Sequence, residues 1–128
     1  MIVDRDKSVR HWIREYTKSQ SYHFVFWECS NGLEAVKYIN DLEPDLLFLD
    51  VNLAGICGFK VIETITHRPF VIFTSSCGKD AAKAFEYKAL DYIIKPIAFN
   101  RIQLALERYD QWMGAKRNDN SHNNVVIR

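Results

Sequence analysis

Residues 46–50 read Leu-Leu-Phe-Leu-Asp, and residues 70–74 read Phe-Val-Ile-Phe-Thr. Each is an unbroken apolar run closed by a single polar side chain. Strict alternation would mark a strand with one wet face; a continuous run marks a strand covered on both faces, as in the interior of a parallel sheet. These two runs are therefore expected to be central strands, with helices packed above and below them.

The segments on either side agree. Val9, Trp12, Ile13 and Tyr16 recur at helical spacing and predict a helix from about Lys7 to Ser19. Tyr22–Cys29 (YHFVFWEC) is aromatic and β-branched and predicts a strand. Asn31-Gly32 signals a turn, and Ala35, Val36 and Ile39 support a helix that ends near Asp41, ahead of Pro44. Phe59, Ile62 and Ile65 predict a third helix, stopped near His67-Arg68 by Pro69. A fourth is expected over Asp80–Lys88, then a short strand Tyr92-Ile93-Ile94. Phe99, Ile102, Leu106, Tyr109 and Met113 outline a last amphipathic helix. With Ile2-Val3 as a first strand the order is βα five times over, which implies right-handed crossovers and a parallel sheet with helices on both faces. After Gly114 the chain turns polar and Asn-rich. Residues 115–128 are expected to be a linker toward a missing output domain or a disordered tail, with Val125-Val126-Ile127 as a candidate first strand of that output domain.

The 128 residues suffice for one core without staples, and 48% of them are hydrophobic. A net charge of +1 with no long basic run lacks the footprint of a surface that grips nucleic acid. Three cysteines with no CxxC or Cys/His spacing argue against a secreted disulfide framework or a zinc site and suit a reducing cytoplasm. No apolar stretch is long enough for a membrane span, so no membrane partner is expected. Cys57 and Cys77 fall in loops after the third and fourth strands; either a redox pairing or plain packing is open there, and packing is the expectation. Trp12, Trp27 and Trp112 are expected to pack in the core or on helix faces, and the four histidines show no ligand spacing.

Four of the apolar runs end in a chemically capable residue: Asp4, Asp50, Thr74 and Lys95. In an open parallel sheet such carboxyl ends share one edge, where ligands bind. Polar residues also close strands simply because strands end at the surface. As a set, though, a carboxylate nucleophile or metal ligand, a hydroxyl donor and a compact ammonium suit a phosphoryl group.

The motifs IVDRD (2–6), DLLFLDVNLAGICG (45–58), VIFTSS (71–76) and DYIIKPI (91–97) stand in the order found in one family, and the sequence resembles the receiver domain of two-component response regulators over residues 1–114. The stretch AFEYKALDYIIKPIAFNRIQLALER (84–108) further resembles the LytTR-type subgroup, whose receivers usually precede a DNA-binding output domain. The resemblance implies a flavodoxin-like, doubly wound α/β fold with parallel strands in the order 2-1-3-4-5. It implies that Asp50 is the phosphoacceptor, taking a phosphoryl group from a histidine kinase, and that Thr74 and Lys95 bind phosphoryl oxygens. Asp4, Asp50 and the Asn52 carbonyl would be Mg²⁺ ligands, Lys95-Pro96 a peptide bond usually held cis, and Tyr92 an aromatic switch that follows Thr74. Such a domain catalyses its own phosphorylation and dephosphorylation, but its output is binding through the fourth helix, fifth strand and fifth helix. Around Ala84–Lys88, Leu104 and Arg108 that face is expected to form a homodimer, with DNA reached only through a separate domain.

Arg5 departs from the pattern, because the family normally places a second acidic metal ligand there. A guanidinium cannot coordinate Mg²⁺ and is expected to pair with the acceptor carboxylate. Either Asp6 swings in as the replacement ligand, or Arg5 leaves a phosphorylation-independent pseudo-receiver that acts only as an interaction module. The weakened but real metal site is the favoured expectation. Ala54, where the family usually has proline, is a milder departure. A phosphohydrolase or other small flavodoxin-like enzyme is disfavoured, since no GxxxxGK[ST] or GxGxxG phosphate loop is present.

Overall fold

The computed structural model describes residues 1–20 and 24–127, with side chains through Gly114. Its elements in chain order are β1 (Ile2–Val3), α1 (Lys7–Lys18), β2 (Glu28–Cys29), α2 (Gly32–Leu42), β3 (Leu46–Asp50), α3 (Gly58–Thr64), β4 (Phe70–Ser75), α4 (Ala81–Glu86), β5 (Asp91–Ile94) and α5 (Phe99–Ile127). A short 3-10 turn, Gly78–Asp80, leads into α4. The five strands are all parallel, in the order β2-β1-β3-β4-β5. The expected fold class and strand order are both found.

The sheet divides the apolar residues between two layers. Val3, Leu47, Leu49, Val71 and Phe73 pack with Ala35, Ile39, Phe59, Val61 and Ala84 on the side of α2, α3 and α4. Ile2, Leu46, Phe48, Ile72 and Ile93 pack with Ile13, Ile102, Ala105 and Leu106 on the side of α1 and α5. Successive residues of β3 thus point to opposite layers, yet every one is buried, which is why that stretch reads as a solid apolar run. The helices start where local chemistry lets them. Asp6 caps α1 by accepting from the Ser8 amide at 2.8 Å, and Asn31 caps α2 by accepting from the Glu34 amide at 2.9 Å. At the other end of α2, Glu43 takes the left-handed conformation (φ 49°) ahead of Pro44.

Three expectations need correction. The second strand is only Glu28–Cys29, because its partner β1 offers just two residues for pairing; Tyr22 and His23 lie outside the described residues. Instead of stopping near Gly114, α5 runs on as a helix through Ile127, so the structureless stretch and the strand at Val125-Val126-Ile127 are not found. A helix already anchored by its docked first turns adds one hydrogen bond per added residue, and needs no apolar stripe to continue. Cys57 and Cys77 are exposed, so the packing expected of them is not found, while Trp12 and Trp112, 51% and 61% exposed, take the helix-face alternative, Trp12 stacked on Tyr16.

The turn behind the third strand is tight. A Cβ on Gly58 would sit 2.5 Å from the Asp50 carbonyl oxygen and 3.1 Å from the Val51 Cα, both backbone atoms that cannot step aside. Gly58→Ala is expected to destabilise the fold by about 1–3 kcal/mol through overpacking. Gly114→Ala, with nothing within 4 Å of its added methyl, is expected to be neutral or slightly stabilising. Urea midpoints measure both, and equal midpoints for the two variants would contradict the account of the turn.

Candidate functional site

The carboxyl ends of the strands bring the expected residues together. Asp50 closes β3 and is in register with Thr74 on β4, while the Val51 amide donates to the Thr74 carbonyl at 2.9 Å. Asp4 follows β1, its amide held by the Cys29 carbonyl at 3.0 Å. Lys95 follows β5 and is anchored by its own amide on the Ser75 carbonyl at 2.8 Å; its bond to Pro96 is cis.

The side chains converge on one ammonium. Lys95 Nζ lies 2.7 Å from Asp4 Oδ2 and 3.2 Å from Asp50 Oδ2. The remaining carboxylate oxygens are held from the backbone, Asp4 Oδ1 by the Asp6 amide at 2.8 Å and Asp50 Oδ1 by the Asn52 amide at 3.0 Å. Asp4 and Asp50 are only 1% and 3% exposed, and Thr74 is as deeply buried. Burial pushes the Asp50 carboxyl up from its ordinary range and the Asp4 charge adds to this, against the lowering pull of the Asn52 amide and Lys95. For Lys95 burial acts downward, but hydrogen bonding to Asp4 and the charges of both aspartates outweigh it and leave the ammonium raised.

Tyr92 is buried, with its hydroxyl donating to the Cys77 carbonyl and its amide to Asp91 Oδ1 at 2.8 Å. Arg5 and Asp6 do not join the pocket. Arg5 is exposed and has no ion pair among the described residues, so the expected pairing with Asp50 is not found; Lys95 takes that carboxylate instead. Asp6 is exposed and engaged as the cap of α1. Among the described residues no three His, Cys, Asp or Glu side chains gather at metal-binding distance. The donors that could serve a divalent ion are the carboxylates of Asp4 and Asp50 and the carbonyl of exposed Asn52, an all-oxygen set. Mg²⁺ fits such a set, because it keeps much of its water and commonly takes only one or two carboxylates.

Two features carry no plain mark in the sequence. Arg10 donates from its guanidinium to the Asp4 carbonyl oxygen at 2.6 Å, a contact with a backbone atom that no side-chain pattern announces. Asp91, 2% exposed, receives Arg101 in a two-pronged pair at 2.6 and 2.8 Å and Arg108 at 2.7 Å. Here a faint signal exists, since Arg101 and Arg108 stand seven residues apart on one helix face.

The sequence profile of the response regulator receiver domain matches residues 1–107. The chain is 35% identical over 113 residues to the transcriptional regulatory protein BtsR of Escherichia coli K12, covering 87% of this chain and 47% of that protein. It is 36% identical over 112 residues to the sensory transduction protein LytT of Bacillus subtilis, covering 85% of this chain and 46% of LytT, in line with the LytTR-type resemblance. The chain thus spans about half the length of these relatives. Among solved structures, the response regulatory domain of protein mrkE from Klebsiella pneumoniae superposes with a TM-score of 0.78 at 25% identity, covering 88% of this chain and 96% of that one. A fold, a set of strand-end residues and a sequence profile that all agree lead to one conclusion: the chain belongs to the response regulator receiver domain family.

Proposed function

We propose that this receiver accepts a phosphoryl group on Asp50 from a phosphohistidine of a histidine kinase. The observation that carries the reading is the single ammonium of Lys95 shared by two buried carboxylates, with Thr74 in register beside the acceptor. In the transfer an Asp50 carboxylate oxygen forms a bond to phosphorus, the phosphorus–nitrogen bond breaks, and the electron pair leaves on the imidazole. Lys95 and the Thr74 hydroxyl then face the oxygens of the acyl phosphate. Mg²⁺, held by Asp4, Asp50 and the Asn52 carbonyl, would offset charge on the phosphoryl group. The domain works on itself, adding and removing one phosphoryl group, and its product is a changed surface.

That surface is α4–β5–α5. Phe85, Ile94 and Leu104 are exposed on these three elements, and β5 is the outermost strand on that side. They suit a homodimer, and Tyr92, on β5, would carry the change from the pocket to this face. Arg108, expected to reach outward, is paired with Asp91 instead. The relatives named as a transcriptional regulatory protein and a sensory transduction protein support an output in transcriptional control; on this reading the output would be a DNA-binding domain in the cytoplasm, reached through 115–127. Among the described residues no helix is long and apolar enough to cross a membrane.

One observation favours a second reading. Arg5 replaces an acidic side chain and Asp6 is occupied in capping, so a phosphorylation-independent interaction module remains the alternative. Beryllofluoride, which mimics an acyl phosphate, separates the two: dimerisation or a tryptophan fluorescence change on its addition belongs to the phosphoacceptor alone.

Acetyl phosphate with Mg²⁺ is expected to give a retarded band in phosphate-affinity electrophoresis for the native chain and none for Asp50→Asn; a band that persists in the variant rules out Asp50. Arg5→Asp is expected to tighten Mg²⁺ binding by about tenfold and to speed labelling, since it adds a hard oxygen ligand where a repelling cation stood. Unchanged affinity and rate would remove Arg5 from the account. Lys95→Met takes away the cation shared by two buried carboxylates and is expected to cost about 3 kcal/mol in urea unfolding without Mg²⁺, the low end of breaking a buried pair. An unchanged midpoint would mean that the carboxylates do not depend on it.

A further inference from the structure

Asp4 is placed by more than its strand. Its two carboxylate oxygens are engaged by Lys95 and the Asp6 amide, and its own amide by Cys29. The remaining polar atom, the carbonyl oxygen, faces α1, where Arg10 Nη1 donates to it at 2.6 Å. The Arg10 side chain is 15% exposed, and its Nε reaches Glu28 Oε1 at 3.2 Å on β2. Glu28 is in turn held at its other oxygen by Arg14 at 2.9 Å. One guanidinium therefore ties the first turns of α1, the end of β1 and the edge strand β2 at the peptide that joins Asp4 to Arg5.

We propose that Arg10 is a positioning residue for the phosphorylation pocket, acting through the Asp4 carbonyl. The inference rests on the phosphoacceptor reading of Asp50. Fixing that carbonyl fixes the plane of the Asp4–Arg5 peptide, and with it the direction in which the Asp4 carboxylate leaves the backbone and the side on which Arg5 leaves the rim. The clamp matters most when a guest enters. A cation or phosphoryl group that competes for Lys95 removes the 2.7 Å ammonium contact from Asp4, leaving the Asp6 amide and the backbone to hold the carboxylate in place. A charge-assisted bond from a guanidinium, itself braced by Glu28, is a stiff support for that backbone. Outer partners of this kind commonly govern ligand affinity by roughly 10- to 100-fold without touching the ligand.

The Asp6 amide offers a readout independent of chemistry, because its proton points at Asp4 Oδ1. In the full chain, Arg10→Met keeps the aliphatic stem and removes both polar contacts. It is expected to weaken Mg²⁺ binding by about tenfold and to shift the Asp6 amide resonance. Arg10→Lys, with one donor still able to reach the Asp4 carbonyl, is expected to return affinity to within about threefold of native. Glu28→Gln takes the charge from the brace, on Arg10 and Arg14 alike, and leaves Arg10 in place; it is expected to cost about threefold and supplies a second test where Arg10→Met fails to fold. A purely structural role would lower the urea midpoint and leave both Mg²⁺ affinity and the Asp6 resonance of the folded protein as they are, and that result overturns the proposal. Should the native chain itself bind no Mg²⁺ and take no phosphoryl group, the phosphoacceptor reading fails, while the Asp6 resonance still decides whether Arg10 orients Asp4.

Discussion

Two carboxylates that are 1% and 3% exposed share one ammonium, and the pocket built around them is one negative charge in excess. Like charges that close to each other and that far from water repel strongly, so neither carboxylate is comfortable where it stands. The folded chain tolerates the arrangement because Lys95 lies between them and because backbone amides hold their other oxygens. On the phosphoacceptor reading, the surplus charge would favour an incoming cation and oppose an incoming phosphate until something positive accompanies it. The order of events in such a pocket is set by its charge.

Strand order makes this meeting possible. Asp4 and Asp50 come from adjacent strands, but Lys95 comes from β5, with β4 lying between it and β3. Two strand spacings amount to roughly 10 Å, and the gap is closed from both sides, by the long lysine stem from β5 and by the aspartate side chains that meet its Nζ at 2.7 and 3.2 Å. A shorter side chain could not reach, and a strand inserted between β3 and β5 would separate the charges. At its other end β5 is pinned by Asp91, whose buried carboxylate takes Arg101 and Arg108 from α5. The strand is thus held electrostatically at both ends, with Tyr92 just inside the fixed one. On the phosphoacceptor reading, a guest that loosens the Lys95 end leaves the Asp91 end in place, so the response is confined to the segment that carries Tyr92 and Ile94.

The features legible in the sequence and those hidden in it have the same physical origin. Burial on both faces writes itself as an uninterrupted apolar run, so β3 and β4 are legible to within a residue or two. Each polar residue that closes a run stands at the same edge, so Asp4, Asp50, Thr74 and Lys95 are legible as a set. An edge strand with a two-residue partner leaves no such mark, and the aromatic residues before Glu28 suggest more pairing than β1 can supply. Trp12 falls beside Ile13 near one helical stripe, but the buried stripe centres on Ile13 and Thr17 and leaves Trp12 at its margin. Arg10 is hidden for another reason: its partner is a carbonyl oxygen, which every residue has.

The weight given to Arg5 changes once distances are known. In the sequence it is the nearest cation to the acidic cluster, being next to Asp4 in the chain. In the fold it is exposed and has no ion pair among the described residues, whereas Lys95 is 2.7 and 3.2 Å from the two carboxylates and mostly shielded from water. Coulomb energy falls with both distance and dielectric, so a cation in contact at a partly buried site outweighs one several ångströms off in water by roughly tenfold. Lys95 rather than Arg5 therefore sets the resting potential of the pocket, and on the phosphoacceptor reading the consequence of Arg5 lies less in the charge it brings than in the oxygen ligand an acidic residue would supply there.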